Sequence, residues 1–71
     1  MVEFEIDGEY IELFKLLKAA ALVASGGEAK NLIAGGDVRV DGEVETRKRK
    51  KLYPGAEVDF FGEIIRVKKK D

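Results

Sequence analysis

The sequence predicts an α+β domain: two short helices packed on a small, mostly antiparallel sheet. Three observations carry that expectation. In the first half of the chain Ile11, Leu13, Phe14, Leu16, Leu17, Ala20 and Ala21 recur at helical spacing, whereas from Val38 onward the apolar period drops to two. Ser25-Gly26-Gly27-Glu28 divides the helical half with a helix-start signature. Asp41-Gly42, Pro54-Gly55 and Gly62-Glu63 then punctuate the second half as turns.

Taken in order, Val2, Phe4 and Ile6 alternate with Glu3 and Glu5, the pattern of a half-buried strand that Asp7-Gly8 ends. A helix is expected over about 9–24, with Glu9 and Glu12 early and Lys15 and Lys18 late, the order that suits the helix dipole. Three alanines at 19–21 favour helix by propensity. The Ser25 hydroxyl can accept from the Glu28 amide while the Glu28 side chain reaches back to the serine amide. The second helix buries Ala29, Leu32 and Ile33, and Gly35-Gly36 supplies a left-handed stop. Val38 and Val40 read as a strand, and Asp41-Gly42 as a two-residue hairpin. The chain returns through Val44 into the basic run, and two more strands follow, from Glu57 to Phe61 and from Ile64 to Lys68. Arg66 and Lys68 to Lys70 are expected to fray as a charged tail, and one of the adjacent Phe60 and Phe61 must face outward.

The 71 residues are expected to form a single domain, 1–71. So short a chain buries only ~60% of its unfolded surface, which leaves a thin core. It has no cysteine and no histidine, which excludes disulfides and the common zinc sites, and neither metal nor cofactor is expected. No apolar stretch approaches the ~20 residues that span a bilayer. The start, Met1-Val2-Glu3-Phe4-Glu5, is acidic rather than signal-like. The expectation is a monomeric cytoplasmic protein without membrane contact.

The net charge of -1 conceals a sorting of charges along the chain. Glu3, Glu5, Asp7, Glu9 and Glu12 occupy the first twelve residues with no basic residue among them, whereas Arg47-Lys48-Arg49-Lys50-Lys51 is a pure basic run. Adjacent cations repel, and charges meant only for solubility serve better interspersed with acids, so the run is assigned to phosphate binding. Arginine offers bidentate contacts and lysine a point charge, a mixture suited to a nucleic-acid backbone. Lys30 and the amides of Ser25, Gly26 and Gly27 lie near a helix start that attracts anions, and Arg39 is expected to extend the patch. Tyr10 and Tyr53 could each stack on a base, Tyr53 being the better placed beside the run. An enzyme is not expected. The chain lacks histidine, cysteine and a nucleotide-type glycine loop, and Glu43 with Glu45, or Glu57 with Asp59, are ordinary acids of an exposed strand face.

Leu22-Val23-Ala24-Ser25, Glu28-Ala29-Lys30, Leu32-Ile33, Gly36, Val38, Val40-Asp41-Gly42 and Pro54-Gly55 together resemble the S-four RNA-binding domain family, also called the alpha-L motif. The resemblance covers about 11–60. It implies two helices on a curved sheet, with RNA lying across the helical pair and an adjoining sheet loop. It also implies a compact, stand-alone bacterial branch in which Thr46-Arg47-Lys48-Arg49 is a typical run after the hairpin. The chain departs from the pattern at Glu12-Leu13-Phe14, where many members open the first helix with Arg-Leu-Asp, and at Gly26, where many carry arginine. With those arginines absent, the resemblance shifts the affinity onto the basic run. The expected partner is structured RNA, ribosomal or transfer RNA, with a ribosomal protein or an RNA-processing protein as a further possible neighbour. The alternative is a protein-interaction adaptor whose run docks an acidic partner.

Overall fold

The computed structural model describes residues 1–71. In chain order the elements are β1 (Val2–Ile6), β2 (Ile11–Glu12), α1 (Leu13–Ala19), α2 (Gly26–Ala34), β3 (Val38–Val40), β4 (Glu43–Val44), β5 (Lys51–Leu52), β6 (Glu57–Phe60) and β7 (Glu63–Lys69). Five strands form one sheet in the order β1-β7-β6-β3-β4, and β2 with β5 forms a separate antiparallel ribbon. Within the sheet only β1 and β7 run parallel, so the two ends of the chain lie side by side.

One face of the sheet is apolar. Ile6, Val38, Val40, Val58, Phe60, Ile65 and Val67 pack with Leu13, Leu16, Leu17, Ala29 and Ile33 of the helices into a core that contains no polar side chain. The other face pairs opposite charges across neighbouring strands: Glu5 with Lys68, Glu3 with Arg66, Arg66 with Glu57, and Arg39 with Asp59. Such cross-strand pairs stabilise a solvated face by a few tenths of a kcal/mol each, on the order of 0.2–1. The predicted α+β class therefore holds, with two helices on a mostly antiparallel sheet.

Four local expectations are corrected. The first helix covers Leu13–Ala19, not 9–24. At its start Ile11 pairs with Leu52 and Glu12 with Lys51, so those residues are extended. At its end Ala20 caps the helix and Ala21 adopts φ 60. The amide of Leu22 then donates to the Leu17 carbonyl and that of Ala21 to Lys18, both at 3.0 Å. This turn brings Val23 into the core, where its burial outweighs the helix propensity of the alanines. Helix α2 ends the same way with Gly36 in the left-handed position, and Asp37 and Gly36 donate to Leu32 and Ile33, both at 3.1 Å. Its start is capped by Ser25 Oγ, which accepts from the Glu28 amide at 3.2 Å. The Glu28 carboxylate, however, accepts from Ala24 (3.4 Å) rather than from the serine amide.

The last hairpin turns at Phe61-Gly62 (φ 52 and 89), one residue earlier than Gly62-Glu63. Two consecutive positive φ values match the right-handed twist of a hairpin, and they turn Phe61 out to 68% exposure while Phe60 stays in the core. The basic tail does not fray. Strand β7 runs to Lys69, and the Lys70 amide donates to the Ile6 carbonyl at 2.9 Å. No helix is long and apolar enough to cross a membrane.

Candidate nucleic-acid interface

Helix α1 starts without a side-chain cap, since Glu12 makes no such hydrogen bond. Its first two amides are satisfied from elsewhere. Leu13 donates to the carbonyl of Lys50 at 2.9 Å and Phe14 to that of Lys48 at 3.0 Å. A helix start leaves four amides without an intrahelical acceptor, and here the backbone of the basic run answers two of them. A turn inside the run, Lys50 amide to Arg47 carbonyl at 3.2 Å, completes its shape. The run is thus bolted to the helix by its main chain, an attachment that does not use its side chains.

Arg47, Lys48, Arg49 and Lys51 are exposed and Lys50 is half-buried. Lys48, Arg49, Lys50 and Lys51 form no ion pair. Arg47 is different. Its Nε and Nη2 donate to the two carboxylate oxygens of Glu45 at 2.9 and 3.0 Å, and its amide donates to the same side chain at 3.0 Å. Hydrogen bonding from the Arg47 side chain holds the Glu45 carboxyl down at about 2, and the Arg47 pKa is raised in return. The guanidinium is therefore engaged along one edge, and its charge is largely compensated locally.

Phe14 joins the run to the rest of the surface. The Lys30 ammonium lies 5.1 Å from its ring centroid and that of Lys15 5.9 Å. A Cβ on Gly26 would stand 3.8 Å from its Cδ2, so the start of α2 packs closely on the ring. Lys30 and Gly26 thus meet the half-buried Phe14 ring, and the basic run meets the same residue through its amide. Ser25 belongs to the same corner, with its hydroxyl committed to the α2 cap. Gly27 follows in the first turn of α2. Arg39 does not join them. It sits on the charged face of the sheet with Asp59 as its cross-strand partner, and no ion pair or hydrogen bond links it to the run.

Tyr53 is joined to the run directly. Arg47, Arg49, Lys50, Lys51 and Tyr53 line an open hollow of about 430 Å³. A second hollow of the same volume, bordered by Asp41, Pro54 and Gly55, shares Lys50, Lys51 and Tyr53 with the first. Tyr10 faces Tyr53 with ring centroids 5.8 Å apart and planes inclined at 53°, and the Lys51 ammonium lies 4.9 Å from the Tyr10 centroid. No group of three or more acidic side chains is arranged to hold a metal ion.

The apolar helical stripe contains Phe14, and the sequence reads Glu45 as an ordinary acid of an exposed strand. Phe14 falls at the edge of the stripe Leu13, Leu16, Leu17, a position that signals a ring only half covered. The two-residue spacing of Glu45 and Arg47 carries no signal of its own, because the clamp forms in the irregular segment after β4, where no regular period fixes which way the side chains face.

The comparisons with known proteins agree on the fold. A family model described as the S4 domain matches residues 4–68. YbcJ of Escherichia coli is 48% identical over 58 residues, covering 82% of this chain and 83% of that protein. Its solution structure, described as revealing an αL motif involved in RNA binding, superposes with a TM-score of 0.73 at 43% identity over 96% of this chain and 87% of that one. The Bacillus subtilis protein RlbA, named a probable ribosome maturation protein, is 41% identical over 59 residues, or 80% of this chain and 83% of that protein. The trimeric structure of Vibrio cholerae heat shock protein 15 matches with a TM-score of 0.74 at 25% identity, over 89% of this chain and 67% of that one.

Proposed function

The chain belongs to the S4 domain family, and on that premise we propose that it is an RNA-binding module whose basic run grips the phosphates of structured RNA, ribosomal or transfer RNA. The family is a non-enzymatic one. The similarity to YbcJ supports RNA as the partner, and the similarity to RlbA favours a ribosomal target in the cytoplasm. The observation that carries the reading is the bond pair from Leu13 and Phe14 to the carbonyls of Lys50 and Lys48. Anchored by its backbone, a loop can present the unpaired Lys48, Arg49 and Lys50 without a further cost for ordering its main chain on binding. Lys30, the amides of Gly26 and Gly27, and the Ser25 corner extend the surface across the two helices, and Arg47, Lys51 and Tyr53 extend it over the ribbon. Arg39 is excluded, because it faces Asp59 on the other side of the sheet.

The alternative, an adaptor whose basic run docks an acidic protein, gains no second docking surface from the acidic N-terminus. Glu3 and Glu5 already face Arg66 and Lys68, and Asp7 lies 3.8 Å from Lys70.

Binding of a ribosomal RNA fragment, measured by electrophoretic shift or anisotropy over a range of salt, tests the proposal. With ~4 phosphates neutralised, log K should fall against log salt with a slope of about -3. The double variant K48E/R49E should abolish binding at physiological salt while leaving the thermal melt intact, since both residues are exposed and the run holds on by its main chain. Normal RNA affinity in that variant would place the interface elsewhere.

A further inference from the structure

The ribbon of β2 and β5 exposes two tyrosines for which the core has no use. Ile11 opposite Leu52 supplies the ribbon's inward side, and Leu52 is fully buried. Alternation then puts Tyr10, Glu12, Lys51 and Tyr53 on the outward side. There Tyr10 is 40% exposed and Tyr53 52%. Their ring centroids lie 5.8 Å apart across the two strands, and the Lys51 ammonium lies diagonally over Tyr10, 4.9 Å from its centroid. At that separation and a 53° inclination nothing planar can slide between the rings. Tyr10 is thus held by Lys51 and Tyr53 by Tyr10, and the exposed part of Tyr53 borders both hollows beside Lys50 and Lys51.

We propose that Tyr53, braced by Tyr10 and Lys51, stacks on an unpaired nucleobase, so that the preferred RNA carries a bulged or looped-out nucleotide next to the backbone held by the basic run. This rests on the RNA-binding reading above and narrows it to a class of RNA. A base inside a duplex is stacked on both sides and offers no free face, so only an extruded one can use the platform. The flanking hollow of about 430 Å³ lies within the range of small-ligand sites, roughly 300–1,000 Å³, and its lining of Arg47, Arg49, Lys50 and Lys51 complements the phosphates on either side of that nucleotide. Tyr53 is the stacking residue and Tyr10 a positioning residue.

The chain has two tyrosines and no tryptophan, so its intrinsic emission reports this cluster directly, and Tyr10→Phe leaves Tyr53 as the sole emitter. The probes are a blunt, fully paired RNA duplex and the same duplex with one bulged nucleotide. The bulged duplex should bind about tenfold more tightly, a typical worth for one base on an aromatic ring, and should quench the Tyr53 emission where the paired duplex does not. Tyr53→Ala should erase the tenfold preference by lowering the affinity for the bulged duplex to that for the paired one, and Tyr53→Phe should keep the preference. Tyr10→Ala should weaken the preference, and Tyr10→Phe should retain it, because the ring and not the hydroxyl does the bracing. Equal affinity of the wild type for the two duplexes, without quenching, overturns the base site and leaves the RNA-binding reading standing. A parallel loss of both duplexes in Tyr53→Ala makes the residue structural and overturns it as well. Failure of the wild type to bind either duplex or ribosomal RNA removes both proposals together.

Discussion

Glu45 and Arg47 show how a basic run can hold a cation that is not free. The carboxylate takes two guanidinium hydrogen bonds and one from the Arg47 amide, and its pKa falls from 4.5 to about 2. A carboxyl whose folded pKa is depressed contributes stability that is fully present above the unfolded value and is lost as pH falls through the folded one. The clamp should therefore persist from neutrality down past pH 4 and release only as the pH approaches 2. Following the Glu45 side-chain carboxyl carbon by NMR should give a midpoint near 2 in the wild type and one in the ordinary carboxylate range in Arg47→Ala. For RNA the same clamp acts as a brake, because a phosphate meets a guanidinium already half satisfied. Glu45→Gln keeps the shape and removes the competing charge, and it should tighten RNA binding roughly two- to fivefold, the scale of an exposed ion pair. A weaker affinity in that variant would mean that Glu45 is needed to aim Arg47.

The two helices end in the same turn with different residues at its critical position. Gly36 takes φ 82 at the end of α2, where glycine has no steric penalty, whereas Ala21 takes φ 60 at the end of α1 and bears one. Ala21→Gly should accordingly stabilise the domain by about 1 kcal/mol, and Gly36→Ala should cost about the same, both read from urea melts. A Cβ at Gly36 would meet only Val44 Cγ1 at 3.7 Å, so backbone strain and not a clash sets that cost. The elements were unequally legible. Helix α2 shows in the sequence because serine, glutamate and glycine mark both of its ends locally. Helix α1 has no such punctuation. Its start is set by a backbone bond to residues 48 and 50, and its end by where Val23 must go to be buried.

Across the whole molecule, the parallel pairing of β1 with β7 explains the charge sorting. The acids of the first strand and the bases of the last meet on one sheet face, with Arg66 also 3.9 Å from Glu57. Opposite charges offset one another there, and with Arg47 held by Glu45 the cations at 48–51 remain as the field without ion-pair partners. That pairing also closes the core. Ile65 lies opposite Val2 on one side and Val58 on the other and is almost fully buried, so Ile65→Ala should cost about 2–4 kcal/mol, measured by chemical denaturation. In a domain of this size that is a large part of a margin of roughly 5 kcal/mol. A melt barely shifted by this change would show that the terminal strands are not integral to the fold.

From the sequence by itself came the α+β class, the serine-capped second helix, the Asp41-Gly42 hairpin and the basic run. Each of these is written in residues a few positions apart, where period, capping and turn chemistry act. Four features were decided only in three dimensions. They are the attachment of the run to α1, the neutralisation of Arg47 by Glu45, the meeting of Tyr10 with Tyr53, and the pairing of the two termini. Three of them join residues far apart in the chain, and the fourth joins two near neighbours in a segment without regular structure. Local propensity carries no information about either kind of contact. The physical reason is that an orphaned helix amide, an exposed ring or an unpaired strand takes its partner from whatever the closed core sets beside it.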